Sequence, residues 1–157
     1  ADIDVLEATD SVTLNAANLE FKSVTLTGPD GAAMTPTETT WNSEVQTATF
    51  HFAQPLAPGR YRLAIDYSGK INTQAAGFFA LDYPTEQGEK RALYTQFEAP
   101  DARRFFPGWD EPQFRTPYDL TLIVPTEDMA VSNMPVATRE DRGDGTSVDP
   151  QPCGPVG

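Results

Sequence analysis

Between residues 44 and 52 the chain alternates. Gln46, Ala48, Phe50 and Phe52 fall on one side, and Val45, Thr47, Thr49 and His51 on the other. A period of two is strand geometry, because successive side chains leave opposite faces. Tyr61, Leu63, Ile65 and Tyr67 give the cleanest apolar face, with Arg62, Ala64, Asp66 and Ser68 opposite. Turn residues at 55–59 separate the two runs, which predicts a hairpin with a longer loop. Upstream, Ser11-Val12-Thr13-Leu14 and Ser23-Val24-Thr25-Leu26 predict two strands around residues 15–18, a likeness too short to be an internal repeat. Gly28-Pro29-Asp30-Gly31 is a turn, with proline presetting φ and glycine supplying positive φ. Residues 32–43 are weakly patterned. Downstream, residues 78–83 and 91–97 form the next strand pair, joined by a polar stretch. Tyr118, Leu120, Leu122 and Val124 alternate with Asp119, Thr121 and Ile123 up to Pro125, and residues 129–132 make a last short strand.

Short alternating segments punctuated by 14 Pro and 11 Gly, with few periodic helix formers, give an all-β fold class, an antiparallel β-sandwich. At 157 residues one domain is expected, with enough chain for a real core. From Thr138 the chain turns polar and then Pro/Gly-rich. The organisation expected is therefore a sandwich over residues 1–137 and a polar tail, a turn or disordered segment, over residues 138–157.

Charge narrows the partners. Acids outnumber bases 23 to 11, for a net charge of −12. No basic cluster exists beyond Arg103-Arg104 and Lys90-Arg91, which argues against nucleic acid and against an anionic membrane surface. The acidity serves solubility, or alternatively a pocket for a cationic substrate. No 18-residue apolar run is present, so no membrane span is expected. The N-terminus has no charged-then-apolar leader, so either any signal peptide has been removed already or the sequence begins inside the gene. Compartment stays open between cytoplasmic and exported. Cys153 is the single cysteine and cannot form an internal disulfide; it sits in the Pro/Gly tail.

One stretch departs from all periodicity. Residues 95–112 read Thr-Gln-Phe-Glu-Ala-Pro-Asp-Ala-Arg-Arg-Phe-Phe-Pro-Gly-Trp-Asp-Glu-Pro. Charges (Glu98, Asp101, Arg103, Arg104, Asp110, Glu111) interleave with rings (Phe97, Phe105, Phe106, Trp109), and three prolines interrupt it. A segment so rich in rings is partly buried, and its charges must then find partners. Asp101, Asp110 and Glu111 lie within reach of Arg103 and Arg104, whose guanidiniums suit forked carboxylate contacts. The expectation is a rigid loop pinned by ion pairs, with Trp109 and Phe105 in the core. Glu98 is open to two readings on the residues alone, a further acid paired with Arg103 or Arg104, or a functional carboxylate.

The same stretch resembles the N-terminal domain of the M1 family of zinc aminopeptidases, in which Thr-Gln-Phe-Glu is followed by Asp-Ala-Arg-Arg, an aromatic-Pro pair and Asp-Glu-Pro. Tyr67-Ser68-Gly69-Lys70-Ile71-Asn72, Gly77-Phe78-Phe79 and Ser132-Asn133-Met134-Pro135 are similar to other segments of that domain, in the same order. The resemblance covers roughly residues 11–136 and implies a saddle-like β-sandwich. It implies that Gln96 lines the pocket for a peptide's first side chain, and that Glu98 binds the peptide's free α-amine. It also implies that the domain packs on a catalytic zinc domain outside this chain, leaving a face that exposes apolar surface. A further strand hairpin would come next in the family, but residues 141–157 do not match it.

The chemistry of that family needs two His from His-Glu-x-x-His, a distant Glu ligand and a general-base Glu. This chain has one histidine, His51, so the resemblance implies no cofactor in this chain and zinc in the catalytic domain of a parent enzyme. His51 is expected as an exposed or edge-strand residue. Ser-His-Asp and Cys-His sets and a phosphate loop are likewise lacking in the sequence. The competing reading is a non-catalytic β-sandwich binding or adhesion module, which composition and strand pattern fit equally well.

Overall fold

The computed structural model describes residues 1–114 and 116–151. Cys153 lies outside the described residues. The described chain is all β, apart from turns and one 3₁₀ turn at Ala102–Arg104. It divides into two compact units, Ala1–Pro112 and a second beginning at Gln113. That division falls earlier than the boundary at residue 137 drawn from composition.

The first unit holds β1 (Asp2–Val5), β2 (Thr9–Asn15), β3 (Leu19–Thr27), β4 (Ala33–Met34), β5 (Glu38–Asn42), β6 (Thr47–Leu56), β7 (Gly59–Gly69), β8 (Gly77–Thr85) and β9 (Gly88–Gln96). Three antiparallel sheets result, in the orders β1-β7-β3-β4, β2-β6-β5 and β8-β9. Alternation decides which side chains meet. Val12 and Leu14 of β2 and Ala48, Phe50 and Phe52 of β6 bury themselves against Val24 and Leu26 of β3 and Tyr61 and Leu63 of β7. Phe50 and Leu26 are fully buried. This is the sandwich core that the apolar faces of the sequence require. The expected turn forms as well, with Gly31 donating to the Gly28 carbonyl at 3.0 Å and φ of +81° at Gly31.

Two expectations about pairing fail. The runs at 44–52 and 61–67 are consecutive strands but not hairpin partners: β6 pairs with β2 and β5, and β7 with β1 and β3. Only Ala57 and Pro58 separate them, and the chain crosses there from one sheet to the other. A hairpin would have left both apolar faces on a single sheet. Crossing places them opposite each other and buries both. His51 is the second correction. It lies on β6, the middle strand of its sheet, half-buried rather than at an edge, with its Nε2 3.1 Å from Thr40 Oγ1.

The second unit holds β10 (Leu120–Pro125), β11 (Glu140–Asp141) and β12 (Thr146–Gln151), in the antiparallel order β10-β12-β11. Residues 129–132 are not a strand. Residues 140–151, expected as part of a polar tail, instead form β11, a turn and β12. The tail reading relied on polarity, but β12 alternates strictly. Ser147, Asp149 and Gln151 are 1–2% exposed, between half-buried Thr146, Val148 and Pro150. Polar residues fill inward positions here, so apolar periodicity carried no signal. Arg139 Nε lies 3.7 Å from Asp149 Oδ1, an ion pair too long for a hydrogen bond. Among the described residues no helix is long and apolar enough to cross a membrane.

Phe50→Ala is expected to destabilise the first unit by about 3–5 kcal/mol, the cost of emptying a phenyl site in a closed core. Denaturant unfolding reads this directly, and an unchanged midpoint would mean that the core is not organised on Phe50.

Candidate functional site

The site is built where β9 ends. Gln96 is the last residue of β9 and pairs across the hairpin with Gly77. Just past the strand, Phe97 is half-buried, and Gln96 and Glu98 are exposed on either side of it. Phe97 is fixed by rings, stacked on Phe105 at 5.6 Å and edge-on to Phe106 at 6.0 Å, while Phe78 of β8 reaches Phe105 at 5.3 Å. An apolar anchor between two polar residues holds both of them towards solvent. The Asp101 N–H then closes back on the Phe97 carbonyl at 3.0 Å and turns the chain into the 3₁₀ segment.

Ion pairs clasp the segment from Asp101 to Asp110. Arg103 is 8% exposed, and its Nε and backbone N–H both donate to Asp110 Oδ2, at 3.0 and 3.1 Å. Its Nη2 reaches the Asp110 carbonyl at 3.1 Å, and its Nη1 the Val45 carbonyl at 3.5 Å. A buried guanidinium is tolerable only when its donors are satisfied in this way. Arg104 donates through Nε to Asp101 Oδ1 at 2.6 Å, in a partly exposed pair. Glu111 is exposed. Trp109, expected in the core, is 38% exposed, while Phe105 is half-buried within the ring cluster. Phe97, Phe105 and Phe106 form the ring cluster without Trp109.

The clasp is fastened to the sandwich by residues the sequence did not single out for it. Asn15 and Gly108 exchange backbone hydrogen bonds at 2.7 and 3.0 Å, and Asn15 Oδ1 accepts from the Asp110 N–H at 3.0 Å. The Ala17 N–H donates to the Arg103 carbonyl at 2.9 Å, and the Tyr67 hydroxyl to the Phe105 carbonyl at 3.0 Å. Burial raises the Tyr67 pKa above its ordinary value. The hydroxyl therefore stays a donor at neutral pH, and its contribution is present below the usual phenol range and lost as pH rises through the raised folded value. No local pattern betrays partners up to 95 residues apart.

The pairing settles one alternative for Glu98. With Arg103 held by Asp110 and Arg104 by Asp101, Glu98 stands exposed and without an ion pair among the described residues. An open polar cleft of about 360 Å³ lies beside the loop, lined by Asn72, Thr73, Gln74, Ala76, Asp101 and Arg104. Neither Gln96 nor Glu98 lines it. Among the described residues no group of three His, Cys, Asp or Glu side chains could hold a metal ion. With one histidine in the sequence, the residues present cannot supply a His-Glu-x-x-His zinc centre.

Arg103→Ala, which empties a buried site and leaves the half-buried Asp110 carboxylate without its partner, is expected to cost about 3–5 kcal/mol. Arg91→Ala removes the solvent-exposed pair with Asp82 on the hairpin and is expected to shift the unfolding midpoint far less. Equal shifts in thermal unfolding would mean that the clasp is not what fixes the loop.

Known proteins resemble the chain over most of its length. A family model described as the peptidase M1 N-terminal domain matches residues 1–150. The chain is 42% identical over 142 residues to Aminopeptidase N of Acetobacter pasteurianus, covering 90% of this chain and 39% of that protein. It is 40% identical over 137 residues to Aminopeptidase M1-C of Oryza sativa subsp. japonica, covering 86% of this chain and 15% of the relative. Puromycin-sensitive aminopeptidase of Caenorhabditis elegans is 32% identical over 145 residues, with 92% of this chain and 15% of that protein aligned. The chain thus spans well under half the length of these relatives.

Proposed function

The chain belongs to the peptidase M1 N-terminal domain family, and on that premise we propose that it is the substrate-capturing domain of a zinc metallo-aminopeptidase, which removes N-terminal residues from peptides. Glu98 is the anchor for the substrate's free α-amine. Gln96, two residues earlier, lines part of the pocket for the first side chain. The zinc ligands and the general base belong to a catalytic domain on which this domain packs, so this chain alone is inactive.

The observation that carries the reading is Glu98 itself, exposed two residues past the end of β9 and without an ion pair among the described residues, beside two arginines that are both engaged by other acids. A carboxylate in that state is available to a cation from outside. An exopeptidase must count from the amine end, and a carboxylate fixed opposite the ammonium does so, because an ammonium buried without a partner is penalised. The clasp supplies the rigidity that such positioning needs. Apolar side chains left exposed on the β8–β9 hairpin, including Leu81, Leu93 and Tyr94, support a packing face for the catalytic domain. An isolated two-stranded hairpin is marginal in water, which fits that role.

In the full-length gene product, Glu98→Ala is expected to lower kcat/KM for an aminoacyl-p-nitroanilide by about 2–5 kcal/mol, the range for stranding a buried charge. A loss of less than about tenfold (1.4 kcal/mol) would remove Glu98 from the anchor role.

A further inference from the structure

Gly77 stands directly across the hairpin from Gln96 and has a φ of +67°. It is buried against the 3₁₀ turn. A Cβ at this position would lie 2.7 Å from Arg104 Cβ and 3.3 Å from the Asp101 carbonyl oxygen. The first contact is closer than carbon atoms approach, and Arg104 Cβ is fixed to backbone, so no rotamer change relieves it. Left-handed φ adds a second penalty for an ordinary side chain. Both features meet at one place, where the hairpin carrying Gln96 touches the clasp.

We propose that Gly77 is a positioning residue for substrate binding: its bare backbone lets the hairpin seat on the 3₁₀ turn and so sets where Gln96 and Glu98 stand. This rests on the proposed roles of those two residues. The mechanical logic is short. The clasp is held to the sandwich through Asn15, Ala17 and Tyr67, so it does not yield easily. A wedge at position 77 must therefore displace the hairpin end. Gln96 moves with its cross-strand partner, and Glu98, two residues on, is pulled by the displaced strand end against the fixed Asp101 that closes its turn. A displacement on the order of 1 Å between binding groups can cost about 10²-fold in rate.

The test uses the full-length gene product and two inhibitors, leucine hydroxamate and its des-amino analogue 4-methylpentanoyl hydroxamate. Their ratio of inhibition constants isolates recognition of the α-amine from everything else the enzyme does. Gly77→Ala is expected to lower kcat/KM about 10²-fold and to shrink the amine-dependent ratio markedly. Gly77→Asn carries the same Cβ but tolerates positive φ better, so it should show the same collapse of the ratio with less loss of thermal stability; it decides in place of Gly77→Ala should that variant not fold. Glu98→Ala runs in parallel. If Glu98→Ala shrinks the ratio and neither Gly77 variant does, the positioning role is overturned and the anchor reading stands, even where activity has fallen. If Glu98→Ala leaves the ratio intact, the anchor reading fails and the positioning role fails with it.

Discussion

Arg103 is a guanidinium almost wholly out of water, and the fold around the loop depends on that. Its donors must be answered, and they are answered from both directions along the chain: Asp110 seven residues ahead, and the Val45 carbonyl far behind. Its own carbonyl accepts from Ala17. One residue thereby ties a non-repetitive loop to two separate connections of the sandwich. With Asp110 committed to Arg103 and Asp101 to Arg104, Glu98 has no ion pair among the described residues. The availability of that last carboxylate is thus a by-product of how the others are used.

The faces of the strands were legible because burial obeys alternation. Phe50 and Leu63 point inward as their neighbours in sequence imply. The pairing of the strands was not legible. Proximity in sequence suggested that β6 and β7 were partners, whereas the need to cover two apolar faces set them on opposite sheets. β12 escaped for the opposite reason: Ser147, Asp149 and Gln151 occupy buried positions without being apolar. In the loop, the charge composition foretold ion pairing but not the choice of partner. Nothing near Asp110 in sequence points to Asn15. Gly77 lies within a recognisable segment, yet nothing in that segment shows the close approach of Arg104.

The division between clasp and hairpin gives the domain two parts with different demands. The clasp is dense in hydrogen bonds and rings and joins a closed core. The hairpin β8–β9 is long, two-stranded and exposed over much of its length. The exposed carboxylate of Glu98 stands at the junction of the two parts.

The crossing from β6 to β7 also bears on how the chain reaches its folded state. β2 and β6 pair Thr13 with Thr49, and β1 and β7 pair Asp2 with Arg62. Those central ladders therefore join segments distant in sequence, while β5–β6 and β8–β9 close locally. Loop-closure entropy is paid before the long ladders give any return, which makes such topologies slow to form. The hairpin bearing Gln96 can zip early, but its seat on the 3₁₀ turn exists only after Asn15, Val45 and Asp110 have been brought together. The last part of this unit to acquire its final geometry is accordingly the part from which Glu98 projects.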